Sequence, residues 1–164
     1  MRTRYPVLDE LDRKILDRYQ RDTRLPAQEI GQAIGLSVAA VQRRLKRMRE
    51  TGVITAEVAS VAPEAVGHPV TCIVTVDLER ETAADLERFR GSILAHARVQ
   101  QCYYITGQAD FVLVVLATDM ADYEDFTRQV FLADGNVKSF TTHVVLERVR
   151  VGLMTPIAAA GSAT

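Results

Sequence analysis

The chain has 164 residues, of which 48% are hydrophobic and 25% are charged, and its formal net charge is −1. This composition is typical of a folded soluble protein and excludes disordered and fibrous chains. The longest uninterrupted apolar run is the seven residues 111–117, whereas a membrane-spanning helix needs about 20. The N-terminus also lacks the apolar stretch of a signal peptide, so we expect a cytoplasmic protein without a membrane partner.

The charges are distributed unevenly along the chain. Residues 1–60 carry 12 Lys and Arg against 8 Asp and Glu, a net +4, whereas residues 61–164 carry 8 against 13, a net −5. A basic N-terminal third and an acidic remainder predict two modules, of which the first faces an anionic partner.

Residues 1–61 are predicted to form a helical domain. Apolar residues recur at helical spacing from Leu8, and the segment 23–26 ends this first helix. A second helix is expected over about 27–34, and Gly35 ends it because glycine adopts positive φ without strain.

A third helix is predicted to begin after Ser37, a good N-cap, and to stop at Gly52. Its apolar stripe consists of Val41, Leu45 and Met48. The following segment VITAEVAS (53–60) predicts a short β ribbon, the wing of a winged helix-turn-helix domain.

Beyond a Pro- and Gly-containing linker at 62–69, the pattern changes to strand, helix, strand, strand, helix, strand. The strands are expected at 70–78, 99–106, 111–118 and 138–149, with helices capped by Thr82 and Asp119. This order predicts an α+β protein in which a ferredoxin-like βαββαβ sandwich (70–152) follows the helix-turn-helix domain. Its two helices cover one face of the sheet, so the other face needs a cover. The small-residue end of the tail (153–164), from Pro156, has little to pack.

Catalytic motifs are scarce. The sequence has no phosphate-binding glycine loop, no HExxH and no GxSxG. His68, His96 and His143 are not spaced as metal ligands, and Cys72 and Cys102 are interpreted as small buried hydrophobes. We therefore expect no enzyme, no cofactor and no metal site.

The third helix carries the strongest functional pattern. Five cations fall within seven residues from Arg43 to Arg49 on the side away from the apolar stripe. Such a helix, preceded by a short helix and a tight turn, is typical of a helix-turn-helix that enters the major groove of double-stranded DNA. A solvated basic helix is the alternative.

The order of residue types along this helix suits DNA. Ala39 and Ala40 let the helix N-terminus approach the bases, and Gln42 and Arg43 can pair with adenine or guanine. The later cations are expected to bind mostly phosphate. The candidate DNA-binding residues are Ser37, Ala39, Ala40, Gln42, Arg43, Arg44, Lys46 and Arg47.

Four segments together, over about residues 7–152, resemble the Lrp/AsnC (feast/famine) transcriptional regulators. They are LDELDRKIL, EIGQAIGLSVAAVQRRLKRMRETGVI, ITGQADFVL and HVVLERV. The resemblance implies homodimers that pair their sheets, often assembled into higher homo-oligomers, with a small molecule, commonly an amino acid, bound between dimers.

The family's Gly-x-x-Asp sensing motif is present as Gly107 and Asp110. A carboxylate can pair with an α-ammonium group, although the same residues also suit a tight hairpin turn without a ligand. Of the family's Thr-x-Thr only Thr142 matches, and Phe140 is expected to narrow the pocket. This predicts either an apolar or aromatic effector or a regulator that has lost its ligand. The candidate effector-binding residues are Thr106, Gly107, Gln108, Asp110, Phe140 and Thr142.

The sequence thus predicts a sequence-specific DNA-binding transcriptional regulator that is oligomeric and modulated by a small metabolite. Two alternatives are a tetrapyrrole enzyme like the sirohaem decarboxylases, which would use histidine, and an architectural DNA-binding protein without a ligand. The basic third helix argues against the enzyme.

Overall fold

A computed structural model describes residues 5–157, which divide into two compact units. The first unit contains the described residues up to Ala59 together with those from Arg150 onward, and the second spans Ser60–Val149. Within the described part of the chain, no helix is both long and apolar enough to cross a bilayer.

The first unit is built from three helices, α1 (Glu10–Tyr19), α2 (Ala27–Ile34) and α3 (Val38–Glu50). Asp9 caps α1, accepting from the Asp12 N–H at 2.7 Å, while the Asp12 carboxylate accepts from the Asp9 N–H at 3.2 Å. This reciprocal capping box fixes the start of α1 two residues after Leu8. The core combines apolar residues of all three helices: Ile15, Leu16, Tyr19, Ile30, Val41, Leu45 and Met48.

The end of the described chain also belongs to this unit. The side-chain amide of Gln20 donates to the Thr155 carbonyl at 2.9 Å and accepts from the Thr155 N–H at 3.0 Å. Ile157 packs against the three-helix core. The expectation that the chain from Pro156 has little to pack is thus wrong for Ile157, and residues 158–164 of the predicted tail lie outside the described residues.

The expected β ribbon over 53–60 is wrong for the described chain, which has no strand there. A strand requires a neighbour to take its backbone hydrogen bonds, and the first unit has no strand elsewhere in its described residues. The segment is nevertheless held in place, because Ile54 N–H donates to the Met48 carbonyl at 3.0 Å.

The second unit confirms the predicted ferredoxin-like order. It begins with a 3-10 turn (Pro63–Val66) inside the expected linker, and its antiparallel sheet has the strand order β2-β3-β1-β4. Its elements are β1 (Val70–Leu78), α4 (Ala83–Leu94), β2 (Val99–Tyr104), β3 (Phe111–Ala117), α5 (Met120–Thr127), a π-helical turn (Arg128–Leu132) and β4 (Val137–Val144).

Alternation along the central strands places the core on one face of the sheet. The buried residues of β1 and β3 pack with Phe89 and Ile93 of α4 and with Phe126 of α5. Cys72 is fully buried in this core, as predicted, whereas Cys102 packs against it and is only partly buried.

The opposite face of the sheet carries apolar side chains without a covering layer in the single chain. Ile73 is 40% exposed, and the register places it between Val114 of β3 and His143 of β4. We call Ile73, Val112, Val114 and Leu116 the open face.

The last strand is shorter than expected. It was predicted to reach Val149 but ends at Val144, which pairs with Cys72 near the beginning of β1. Val145 adds one further hydrogen bond to the Thr71 carbonyl at 2.9 Å. Only Val70 of β1 lies beyond that point, so β1 cannot pair with the residues up to Val149.

Candidate DNA-binding surface and effector cleft

The turn between α2 and α3 is tight because two glycines permit it. Gly35 adopts φ +74°, a left-handed conformation that costs other residues strain. Gly31 lies so close to the turn that a Cβ there would be 2.4 Å from the Leu36 carbonyl oxygen. Ser37 then caps α3, its hydroxyl accepting from the Ala40 N–H at 3.3 Å.

The solvent side of α3 is narrower than its sequence suggests. Residues along a helix are spaced about 100° apart, so Ala39, Arg43 and Lys46 lie opposite the buried stripe, with Gln42 at one flank. All four are exposed. Lys46 lies 3.8 Å from Glu50 of the same helix, so this side presents cations and a free amide.

Arg44 and Arg47 instead point toward the N-terminal end of α1. Arg44 Nη1 lies 2.6 Å from Asp9 Oδ2 and 2.8 Å from Asp12 Oδ1, and its side chain is only 21% exposed. Arg47 Nη2 lies 2.5 Å from Asp12 Oδ2. Contrary to the expectation of phosphate contacts, Arg44 is therefore engaged within the protein.

The ion pair between Asp9 and Arg44 shifts the pKa of both residues. The Asp12 N–H, and then the Arg44 guanidinium, lower the pKa of Asp9 below its ordinary value. Asp9 and Asp12 in turn raise the pKa of Arg44. Both groups are therefore held in their charged forms.

Arg49, in the last turn of α3, is engaged in the same way. It donates to Glu57 Oε1 from Nε at 3.0 Å and from Nη2 at 2.8 Å, and Nη2 also donates to the Tyr19 hydroxyl at 2.8 Å. Tyr19 in turn donates to Glu57 at 2.5 Å. These bonds from Arg49, and then from Tyr19, lower the pKa of Glu57 and fix the segment after α3.

A polar cleft of about 270 Å³ opens beside the turn between β2 and β3. The turn brings together three of the predicted effector residues, Gly107, Gln108 and Asp110. The other lining residues are Asp77, Leu78, Glu81, Ala109 and Lys138.

Asp110 holds this turn against the end of β1. Its Oδ2 accepts from the Leu78 N–H at 2.7 Å, and its own N–H donates to the Val76 carbonyl at 3.0 Å. Gly107 adopts φ +127° with open space where a Cβ would stand. The glycine is thus required by the backbone, and the carboxylate has one oxygen without a backbone partner.

Three predicted effector residues lie away from the cleft. The register places Phe140 beside Val76 and Thr142 beside Val74, so both face the helix-covered side of the sheet. The Phe140 ring lies 4.9 Å from that of Phe131, and the Thr142 hydroxyl is 2.5 Å from the Tyr123 hydroxyl. Thr106 is exposed and does not line the cleft. Phe140 therefore does not narrow this cleft, contrary to the expectation.

Sequence reasoning missed three charged residues of the cleft, Asp77, Glu81 and Lys138. The pairing of β1 with β4 shifts between Asp77 and Leu78, which pair with Ser139 and Val137. Lys138 is the extra residue of this bulge, and a bulge redirects a side chain. Strict alternation therefore could not have placed it.

Two of the histidines lie on separate elements of the second unit. His96, at the end of α4, packs edge-on against Phe126 with ring centroids 5.7 Å apart, and His143 lies on β4. Between residues 5 and 157, no cluster of three His, Cys, Asp or Glu side chains could hold a metal ion.

Family models match both units. The AsnC-type helix-turn-helix domain matches residues 8–49, and the Lrp/AsnC ligand binding domain matches residues 71–152. An HTH-type transcriptional regulator of Sinorhizobium fredii is 48% identical over 150 residues, which cover 92% of this chain and 89% of that protein.

Solved structures give the same result. A transcriptional regulator of Neisseria meningitidis in complex with L-methionine superposes with a TM-score of 0.84 at 27% identity, covering 92% of this chain and 97% of that one. The feast or famine regulatory protein of M. tuberculosis, complexed with L-methionine, gives a TM-score of 0.83 at 26% identity, covering 93% and 100%.

Proposed function

Since the chain belongs to the Lrp/AsnC family of transcriptional regulators, which bind DNA through a helix-turn-helix, we propose how its two units divide the work. The exposed side of α3 reads base edges in the major groove of its operator. The cleft beside Gly107 and Asp110 binds an amino-acid effector. The open face of the sheet binds a second copy of the chain.

Gln42 and Arg43 are the proposed base readers. Both are exposed near the N-terminal half of α3 and neither lies in an ion pair of the described chain. Their amide and guanidinium groups can bond bidentately to adenine and guanine. Lys46 is a single charge farther along the helix and is assigned to phosphate.

This assignment is tested with DNA fragments selected by the protein from genomic DNA. Gln42→Ala and Arg43→Ala should each weaken binding to the preferred fragment by about 1–3 kcal/mol and make the protein less selective for its sequence. Lys46→Ala should weaken binding to all fragments equally and reduce the salt dependence of binding. Unchanged preference in both Gln42→Ala and Arg43→Ala would show that other residues read the bases.

The charges of the cleft suit an amino-acid zwitterion. The carboxylates of Asp77, Glu81 and Asp110 can accept from an ammonium group, and exposed Lys138 can pair with a carboxylate. Each carboxylate has one oxygen engaged, Asp77 by Ser139 at 2.8 Å, Glu81 by Tyr104 at 3.2 Å and Asp110 by the Leu78 N–H at 2.7 Å. We take Asp110 as the main candidate because it belongs to the same turn as Gly107. The L-methionine complexes of two structural neighbours support this ligand class.

Calorimetric titration of the intact protein with L-methionine and the other standard amino acids tests the effector site. Asp110→Asn keeps an acceptor for the Leu78 N–H but loses the negative charge. It should therefore weaken binding of the amino acid by about 1.5–3 kcal/mol. Asp125→Asn, at an exposed position of α5, is the control. Undiminished binding to Asp110→Asn would show that this carboxylate does not contact the ligand. If the wild type bound no amino acid, an architectural DNA-binding protein would be favoured instead.

An effector of this kind acts by mass action. If the cleft lies between dimers, a ligand that binds one assembly better than another shifts the population toward it. The assembly then determines which operator spacings can be bridged.

A further inference from the structure

Three of the five cations of α3 are paired with carboxylates from outside the helix. Asp9 and Asp12 of the α1 N-terminus hold Arg44, and Asp12 also holds Arg47. Glu57, beyond the end of α3, holds Arg49. We call Asp9, Asp12 and Glu57 the clamping carboxylates.

The pairs that Asp12 and Glu57 make are less exposed than an ordinary surface ion pair. The Asp12 side chain is only 1% exposed and accepts from both arginines as well as from the Asp9 N–H. Glu57 accepts two hydrogen bonds from Arg49 and one from Tyr19. By contrast, Arg24 in its pair with Asp22 is 90% exposed, and pairs of that kind contribute little.

We propose that the clamping carboxylates restrain the affinity of α3 for DNA phosphate of any sequence. A cation increases sequence-independent affinity by releasing counterions from DNA. An arginine already neutralised by a carboxylate adds less, because a phosphate must compete with its partner. For Arg47 the competition would leave the buried Asp12 charge less compensated, which is costly.

Within the described chain, only Arg43 and Lys46 among the five cations have no carboxylate partner from outside the helix, and the pair of Lys46 with Glu50, at 3.8 Å, is loose and exposed. A regulator must find its operator among a large excess of other DNA, so weak sequence-independent binding keeps it available. The restraint gives a reason for the acidic partners that this basic helix receives from the chain before it and the chain after it.

Two single substitutions in the full-length protein test this. Asp9→Asn keeps a good N-cap acceptor for α1 and Glu57→Gln keeps acceptors for Arg49 and Tyr19, but each removes one clamping charge. Asp12 is left unchanged, because we expect the loss of a buried carboxylate that pairs with two arginines to destabilise the fold.

The measurement is fluorescence anisotropy of a labelled random-sequence duplex over a series of salt concentrations. Each variant should bind this duplex several-fold more tightly at low salt. The slope of log affinity against log salt should steepen by up to about one. Urea denaturation checks that each variant is folded.

Glu87→Gln is the matched control, because it removes the same charge from an exposed pair with Arg90 on α4. Equal effects of this control and of the two variants would overturn the proposal, since net charge alone would then suffice. Wild-type affinity and slope in both Asp9→Asn and Glu57→Gln would also overturn it. Lys46→Ala, measured alongside, shows separately whether α3 contacts phosphate at all.

Discussion

At the scale of single residues, the helix-turn-helix depends on the missing side chain of Gly31. A Cβ there would lie 2.4 Å from the backbone oxygen of Leu36, and the Leu36 N–H donates to the Gly31 carbonyl at 2.9 Å. Because this neighbour is backbone, it cannot rotate away. We expect Gly31→Ala to lower the free energy of unfolding by about 1–3 kcal/mol in urea titrations.

Gly91→Ala is the matched control for that measurement. Gly91 lies within α4 with nothing inside 4 Å of its would-be Cβ. Alanine there should stabilise the second unit by about 0.5–1 kcal/mol. If Gly31→Ala were as stable as the wild type, the close approach in the turn would be contradicted.

The same scale shows what the sequence could and could not foresee. The roles of Gly35 and Ser37 follow from local chemistry and are confirmed by the left-handed φ and the cap. Which face of the sheet Phe140 and Thr142 lie on depends on the strand that β4 pairs with and on the register of that pairing. That register, with its bulge at Lys138, is a tertiary property that no short pattern encodes.

At the scale of elements, the cap of α1 connects stability to pH. The Asp12 N–H and Arg44 lower the pKa of Asp9 below its ordinary value of 3.8, so the unfolded state binds the proton more tightly. The stabilisation is present above about pH 4 and is lost as the pH falls through the lowered pKa. Asp9→Asn cannot titrate, so we expect its unfolding free energy to fall less steeply below pH 4. Urea titrations at several pH values measure this, and parallel profiles would contradict it.

The elements whose ends were mispredicted share one cause. Helix ends are marked by caps in the sequence, and Ser37, Thr82 and Asp119 all cap as expected. A strand can extend only as far as its neighbour, and β1 begins at Val70, so it could not pair with the predicted end of β4 at Val149. For the same reason the apolar pattern over 53–60 forms no strand in the described chain, since a pattern predicts a strand without supplying its partner.

At the scale of the whole molecule, the open face predicts self-association. Ile73, at 40% exposure, is flanked by Val114 in the register of the central strands. Covering this face with a second copy removes apolar surface from water. We expect the wild type to run as a dimer in size-exclusion chromatography with light scattering and Ile73→Lys to run as a monomer, because a lysine buried between two copies would be unpaired.

Leu94→Lys is the control for this change, since Leu94 is 82% exposed on α4, away from the open face. It should leave the assembly unchanged. Identical masses for wild type and Ile73→Lys would assign self-association to another surface.

The return of the chain end to the first unit constrains how the protein is made. Thr155 and Ile157 complete the packing around α1, but about 100 residues separate them from the end of the three-helix segment. At 5–20 residues per second, a ribosome needs roughly 5–20 s to supply them. The nascent helix-turn-helix therefore stays incompletely packed until the second unit has been synthesised. A premature stop after Val149 would leave it incompletely packed permanently.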